Sequence, residues 1–462
     1  MEKDANEIEK MREKVFKHIF MPMRSVNWYQ EVGHLKILVK GEGIRVTDIE
    51  GKTYIDGAAA WQYGAVGHGR TEIGDAIKKQ IEVLAFAAPE YANLREIELA
   101  EKLAELTPGD LTKVSFCNSG SESVETAMKI AKQYHVLNGQ PRRHKIITRR
   151  GSYHGATWAT MNLTGVYRDA FSFFEPAMPQ VVRVSNPYCY RCDFKSTYPS
   201  CGLLCAQEIE KVILTEDPET ISAVIGDTVS HSNYVAVPPP EYWPMVRTIC
   251  DKYGVLLIND EVIVGFGRTG KWFACNHWNV IPDIMTFAKG ITSGYIPCAG
   301  AIATTKVAKV VESSEELGLI NFPTWGGNPN SCAGALANIA IIEREKLVEN
   351  SATQGNYILE GLKDRFSDYP IVGDIRGIGL LLGVEMVADK KTKALFSPEV
   401  KFPFRAFAKL ESEGMLARDF ESTILLTPPL CITKSDADEI INIMDRVVTG
   451  LAKDLGILKI TS

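Results

Sequence analysis

Between about residue 72 and residue 303 the chain alternates helical stretches with short apolar runs, and this alternation constrains the fold more than any other feature. Helical periodicity marks residues 97–106 and 121–134, and the apolar runs cover residues 114–117, 145–148, 222–226, 255–258, 284–287 and 300–303. Strand-length runs separated by helices predict an α/β fold with a large, doubly wound, mostly parallel sheet. Ligands of such sheets bind beyond the carboxyl ends of the strands, so the residues just past each run are the candidates for chemistry.

Either side of this block the pattern changes. Residues 41–56 alternate apolar and polar positions around Gly41, Gly43 and Gly51, which predicts two or three short antiparallel strands. After Thr324 come a helical segment over 332–346, a part punctuated by Gly373, Gly377, Gly379 and Gly383, and an amphipathic helix near 436–451. The expected division is an N-terminal segment (1–70) packing with a smaller C-terminal α+β domain (331–462), and a large α/β domain (71–330) between them.

Composition removes other classes. A chain of 462 residues with 45% hydrophobic and 23% charged residues and a net charge of −6 is in the range of soluble globular proteins, so disorder and fibrous architectures drop out. The densest basic cluster, Arg142, Arg143, His144, Lys145, Arg149 and Arg150, is short and broken by apolar residues, and it reads as a solvated edge and not a nucleic-acid stripe. No run reaches the length of a membrane span, and the first residues mix charges where a signal peptide needs a basic start and an apolar run, so a cytoplasmic location is expected. In that setting the ten cysteines are expected to be reduced thiols or metal ligands, not a disulfide framework.

Three strand ends carry unusual polar groups. After residues 114–117 come Asn118, Ser119, Gly120, Ser121 and Glu122; Ser119 and Glu122 fit a capping box, and the Gly120–Ser121 turn offers free N–H groups and a hydroxyl to a phosphate. A plain helix cap needs the same residues. After residues 255–258 come Asn259, Asp260, Glu261 and Val262: a carboxylate there can hold a cationic ring nitrogen or simply cap a turn. After residues 284–287 comes Lys289, the single charged residue of the stretch 285–305, and a desolvated lysine loses its proton readily, as an imine-forming nucleophile must. Together a phosphate cup, an acid for a ring nitrogen and an amine for an aldehyde are the three handles of pyridoxal 5'-phosphate (PLP).

The residues that carry these handles resemble the class III PLP-dependent aminotransferases of fold type I, of the omega-aminotransferase kind. The resemblance lies in NDEVIVGFGRTGKWF (259–273), TFAKGITSGYIPCAG around Lys289, NSGSESVETAMKIA, GSYHGAT, FPTWGGNP and DGAAAWQYGAVGHGR, and it spans about residues 41–433 in the right order. It implies that Lys289 holds the cofactor and moves the substrate proton, that Asp260 keeps the pyridine nitrogen protonated, and that Gly120 and Ser121 bind the phosphate. It further implies that Tyr153, with His154 beside it, stacks on one face of the ring and Val262 on the other. Thr324 would complete the phosphate site of the neighbouring subunit in a homodimer. Trp61 matches a pocket aromatic, and Arg418 matches an arginine that binds a substrate carboxylate and swings aside for a bulkier group.

The reaction so implied moves an amino group from a primary amine or omega-amino acid, of the β-alanine, taurine or diamine type, to a 2-oxo acid such as pyruvate or 2-oxoglutarate. A PLP-dependent racemase or epimerase uses the same handles and stays open. A nicotinamide-dependent oxidoreductase is disfavoured: Gly265, Gly267 and Gly270 spell G-x-G-x-x-G, but they lie away from a strand end and open no helix.

The sequence departs from the family in three places. The stretch Ile225, Gly226, Asp227, Thr228, Val229, Ser230, His231, Ser232, Asn233 replaces the usual glutamate-proline and glycine-rich run, which leaves open whether Asp227 gates Arg418. Trp325 stands where a tyrosine or phenylalanine is common. Cys189, Cys192, Cys201 and Cys205 have a spacing compatible with zinc or an iron–sulfur cluster, or with small apolar thiols in a surface loop.

Overall fold

The computed structural model describes residues 4–31, 35–175, 178 and 180–457. Three short antiparallel strands, β1 (Leu38–Glu42), β2 (Arg45–Asp48) and β3 (Thr53–Asp56), form the expected N-terminal ribbon. Then follow β4 (Leu111–Cys117), β5 (Lys145–Arg149), β6 (Val181–Val184), β7 (Ile221–Asp227), β8 (Leu256–Asp260), β9 (Ile284–Phe287) and β10 (Ala299–Thr304). They make one seven-stranded sheet in the order β4-β10-β9-β8-β7-β5-β6, in which only β10 runs against its neighbours. Every residue of β7, β8 and β9 is buried. Helices cover both faces of a parallel sheet, so its strands read as continuous apolar runs.

All six predicted runs are strands. The seventh, β6, escapes sequence reading because it is an edge strand whose first three residues are only half-buried. The basic cluster is a correction: Arg142 is exposed, but Arg143 and Arg149 are buried. Arg143 donates to the carbonyls of Ile221 (2.9 Å) and Tyr253 (3.0 Å), so it fastens sheet to helix and is no solvated edge.

The C-terminal part holds the helices Pro329–Arg344 and Leu347–Phe366, then β11 (Val372–Gly377), β12 (Leu382–Met386), β13 (Met415–Leu416), β14 (Arg418–Phe420) and β15 (Thr423–Leu426), and the last helix, Lys434–Asp454. Strands β11-β12-β15-β14 form a second sheet, while β13 pairs in parallel with β3, so a strand from far along the chain completes the N-terminal ribbon. No helix among the described residues is long and apolar enough to cross a membrane.

The cysteine-rich segment runs from the loop after β6 into the first turn of the helix Leu204–Thr215, where Cys205 lies. Its four thiols are free: Cys189 is exposed, Cys192, Cys201 and Cys205 are half-buried, and all four line one small cavity. Among the described residues no group of three or more His, Cys, Asp or Glu side chains is placed to hold a metal ion. The loop is anchored through buried Glu385, which accepts from the Tyr188 hydroxyl and from Arg191 Nε at 2.5 Å.

Candidate active site

The tips of β4, β7, β8 and β9 and the loop after β5 surround one cavity, which brings Gly120, Ser121, Tyr153, Asp260, Val262 and Lys289 together. Lys289 follows β9 in a single tight turn with φ +48, a left-handed backbone that costs an ordinary residue about 1–2 kcal/mol. Strain of this kind is retained where the surrounding structure fixes it, as functional sites do. Burial, opposed by the charge of Asp260 and helped by that of Arg418, pushes the Lys289 amine down to about 8 from an ordinary value near 10.5.

Asp260 ends β8 and is buried. Its Oδ1 accepts from Thr286 Oγ1 (3.0 Å) and from the Val262 amide (3.1 Å), and its Oδ2 faces His154 Nδ1 at 2.7 Å. These contacts fix the carboxylate, and they leave buried His154 Nε2 without a partner.

Ser119 caps the helix Gly120–Leu137, its Oγ accepting from the Glu122 amide at 3.2 Å. The reciprocal half of the predicted capping box is shifted by one residue, since Glu122 Oε2 accepts from the Asn118 amide (2.8 Å) and not from Ser119. The first-turn N–H groups at Gly120 and Ser121 precede any intrahelical partner and point out of the helix, which suits an anion. Ser121 Oγ accepts from the Ala156 amide at 3.1 Å. Gly155, at φ +133, allows this approach, because a Cβ there would stand 2.5 Å from Ser121 Oγ.

These residues fit PLP. The missing side chain of Gly120 leaves a slot whose Cβ would meet Val262 Cγ1 at 2.8 Å; a buried carboxylate, an amine and a helix N-terminus open on the same space. Tyr153 stands at its edge, its ring edge-on to Tyr167 with centroids 6.2 Å apart, and burial raises its hydroxyl pKa.

The two substrate candidates also meet. The Arg418 guanidinium lies over the Trp61 ring at 4.1 Å from its centroid. Trp61 is 46% exposed, so it is no core tryptophan, and it sits in a run of four left-handed residues, Ala59 (φ +42), Ala60 (+47), Trp61 (+74) and Gln62 (+67). Asp56 Oδ1, accepting from the Ala60 amide at 3.0 Å, and Thr427 Oγ1, donating to the Ala58 carbonyl at 3.2 Å, brace that turn. Thr324 is exposed and lies outside this chain's own cavity lining; Trp325 is exposed as well.

Asp227 lines the cavity but is committed elsewhere. Arg149 donates through Nη2 to both its carbonyl and its Oδ1, and lies 5.3 Å from the centroid of Trp243. Burial opposes the charge of Asp227, but Arg149 and then His154 hold its carboxyl below the ordinary range. Stripping one partner from a buried pair like this costs about 3–5 kcal/mol, so Asp227 is not available to gate Arg418.

Three site-shaping groups are not legible as such in the sequence. Glu261, fully buried, accepts from Thr228 Oγ1 (2.8 Å) and from the amides of Ala274 (2.8 Å) and Cys275 (2.9 Å), which folds the segment after Asp260 back beneath the cavity. Arg149 is the second and His231, on the cavity wall, the third. The glycines of the G-x-G-x-x-G run serve packing: a Cβ on Gly267 would stand 2.9 Å from Leu430 Cδ1, and one on Gly270 would stand 2.8 Å from Ala352 Cβ.

An amine, a buried aspartate and an anion cup at the strand ends of a fold type I sheet define a PLP enzyme. Residues 29–448 match the Aminotransferase class-III family, and the chain belongs to it: it is a PLP-dependent aminotransferase, which moves an amino group from an amine to a keto acid. Among its relatives are the taurine–pyruvate aminotransferase of Bilophila wadsworthia, 39% identical over 91% of this chain and 94% of that one, and the putrescine–pyruvate aminotransferase of Pseudomonas aeruginosa, 33% identical over 92% and 93%. Among solved structures, an (S)-enantioselective omega-transaminase from Thermomicrobium roseum is 40% identical with a TM-score of 0.92, covering 96% of this chain and 98% of that one. The omega transaminase of Pseudomonas jessenii in complex with PMP is 34% identical with a TM-score of 0.92, covering 97% and 99%.

Proposed function

We propose that the chain transfers the amino group of a primary amine or omega-amino acid, of the β-alanine, taurine or diamine type, to a 2-oxo acid such as pyruvate or 2-oxoglutarate. The observation that carries this reading is the cavity that brings the Lys289 amine, Asp260 and the Gly120–Ser121 turn together, with Arg418 resting on Trp61 and its charge acting on Lys289. When bound, PLP would supply an aldehyde and a protonated ring that accepts electrons. Lys289 would hold it, and its amine would move a proton from the substrate carbon. Asp260, oriented by His154 and Thr286, would keep the ring nitrogen protonated. Gly120 and Ser121 would bind the phosphate, and Tyr153 and Val262 would enclose the ring.

Arg418 is the fork for a substrate carboxylate, and its guanidinium can lie on the indole when no acid is present. Exposed Thr324 completes the phosphate site of the neighbouring subunit in a homodimer. Residues 71–330 form the cofactor domain and 331–462 the small domain, with 1–70 packed against it, a division supported by the β3–β13 pairing. The location is cytoplasmic.

A panel of donors, each mixed singly with the yellow holoenzyme, tests the reading. β-Alanine, taurine or putrescine is expected to bleach the internal chromophore and pyruvate to restore it, with alanine formed. Solvent deuterium entering an amino acid with inversion and no oxo product would instead establish a racemase.

A further inference from the structure

The cavity wall at Asp227, Val229 and His231 lies in one of the stretches where the sequence departs from the family pattern, and it carries a histidine that none of the roles above uses. His231 lines the same cavity as Lys289 and Asp260, is 2% exposed, and its Nε2 has no hydrogen-bond partner. The charges acting on it are all cationic, those of Arg418, Lys289 and Arg268. Burial first, and then these three, hold its pKa well below the ordinary histidine value, so the ring is neutral and keeps one N–H donor and one acceptor. The nearest carboxylate on its own loop, Asp227, is occupied by Arg149.

The loop that carries it is held rigidly. Ser230 and Ala236 exchange amide–carbonyl hydrogen bonds of 3.1 and 3.0 Å, and the His231 carbonyl accepts from the Val235 amide at 3.3 Å. Tyr234 and Val235 close the turn in left-handed backbone, φ +59 and +58. From the C-terminal sheet, Arg376 Nε donates to the Tyr234 carbonyl at 2.7 Å, and the Tyr234 hydroxyl donates to Glu421 Oε2 at 2.5 Å. Glu421 follows β14, the strand that begins with Arg418. The wall bearing His231 and the hairpin bearing Arg418 are thus latched to each other.

We propose that His231 is a specificity-determining residue, donating a hydrogen bond to the acidic group of the substrate that Arg418 also engages. A buried, unpartnered, neutral donor among cations has an anion as its complement. A bare alkyl chain would leave it unpaired, and pockets built around a polar partner reject ligands that lack it. The inference rests on the proposed reading of Arg418 as the carboxylate fork, and it adds a second, chain-specific contact to that fork.

The test compares His231→Ala and His231→Gln with the parent, using β-alanine as the acidic donor and n-propylamine, which lacks the carboxylate, as its counterpart of similar length. A hydrogen bond to a charged group is worth about 10- to 100-fold in binding, so KM for β-alanine is expected to rise by about that factor in His231→Ala. The kcat with β-alanine, and both constants for n-propylamine, should stay within about threefold, with His231→Gln recovering much of the loss. Propionate, which has no amine to react, serves as a binding probe by calorimetry, and its affinity should fall in parallel. Equal losses for both donors, or no loss for β-alanine and propionate, overturn the proposal. Its failure is separable from that of the proposed function, which stands or falls with the parent enzyme's donor panel.

Discussion

Replacing Lys289 by alanine is expected to lower kcat by about 10⁴-fold, the upper end of what a positioned proton-transfer group contributes, with covalent retention of the cofactor lost as well. The reason is local. Lys289 lies on the cavity wall, its backbone is held in a left-handed turn, and the remainder of residues 285–305 carries no charge that could replace it. The same environment sets a pH dependence. Because burial favours the neutral amine, the rate at which apo-protein captures PLP should rise with pH and reach half its maximum near 8, more than two pH units below an ordinary lysine. A midpoint near 10.5 would mean that the amine is solvated and the site more open than its packing indicates.

Asp260→Asn is expected to have the second-largest effect, about 10³-fold in kcat, the scale seen when one preorganised electrostatic partner is removed. The change keeps the shape of the side chain and removes the charge. Thr286 and the Val262 amide both donate to one carboxylate oxygen while His154 donates to the other. An asparagine NH₂ facing any of these three donors loses a hydrogen bond and meets a second donor. Lys289 remains, so the variant should still bind PLP, and its slow turnover would not reflect an empty site. Absorbance at the chromophore measures occupancy, and single-turnover kinetics with one donor measure the rate. A variant within threefold of the parent would remove Asp260 from the account.

The central sheet is legible in the sequence because buried parallel strands are apolar without interruption, as in ISAVIGD over β7. The site is legible because polar residues at the ends of such runs stand out against them: Asp260 after LLIN, Lys289 after IMTFA and Gly120–Ser121 after the β4 strand. Partnerships across the chain are not. Arg149 and Asp227 are separated by 78 residues, and nothing local says that the arginine leaves its basic cluster for the interior. The left-handed turn at Ala59–Gln62 is equally hidden, since Ala-Ala-Trp-Gln contains none of the residues that normally signal positive φ; Asp56 and Thr427 impose it from outside. His231 shows only as a departure from its family, and its neutral, unpartnered state depends on Arg418, Lys289 and Arg268 from other parts of the chain. Glu261 reads as a second acid beside Asp260, yet three donors bury it as a brace for the turn.

Borohydride treatment of the yellow holoenzyme followed by peptide mass analysis shows whether the ε-amine of Lys289 carries the cofactor. Loss of the chromophore and a phosphopyridoxyl mass on the peptide containing Lys289 are expected. The same adduct on another lysine, with Lys289 unmodified, would contradict that expectation.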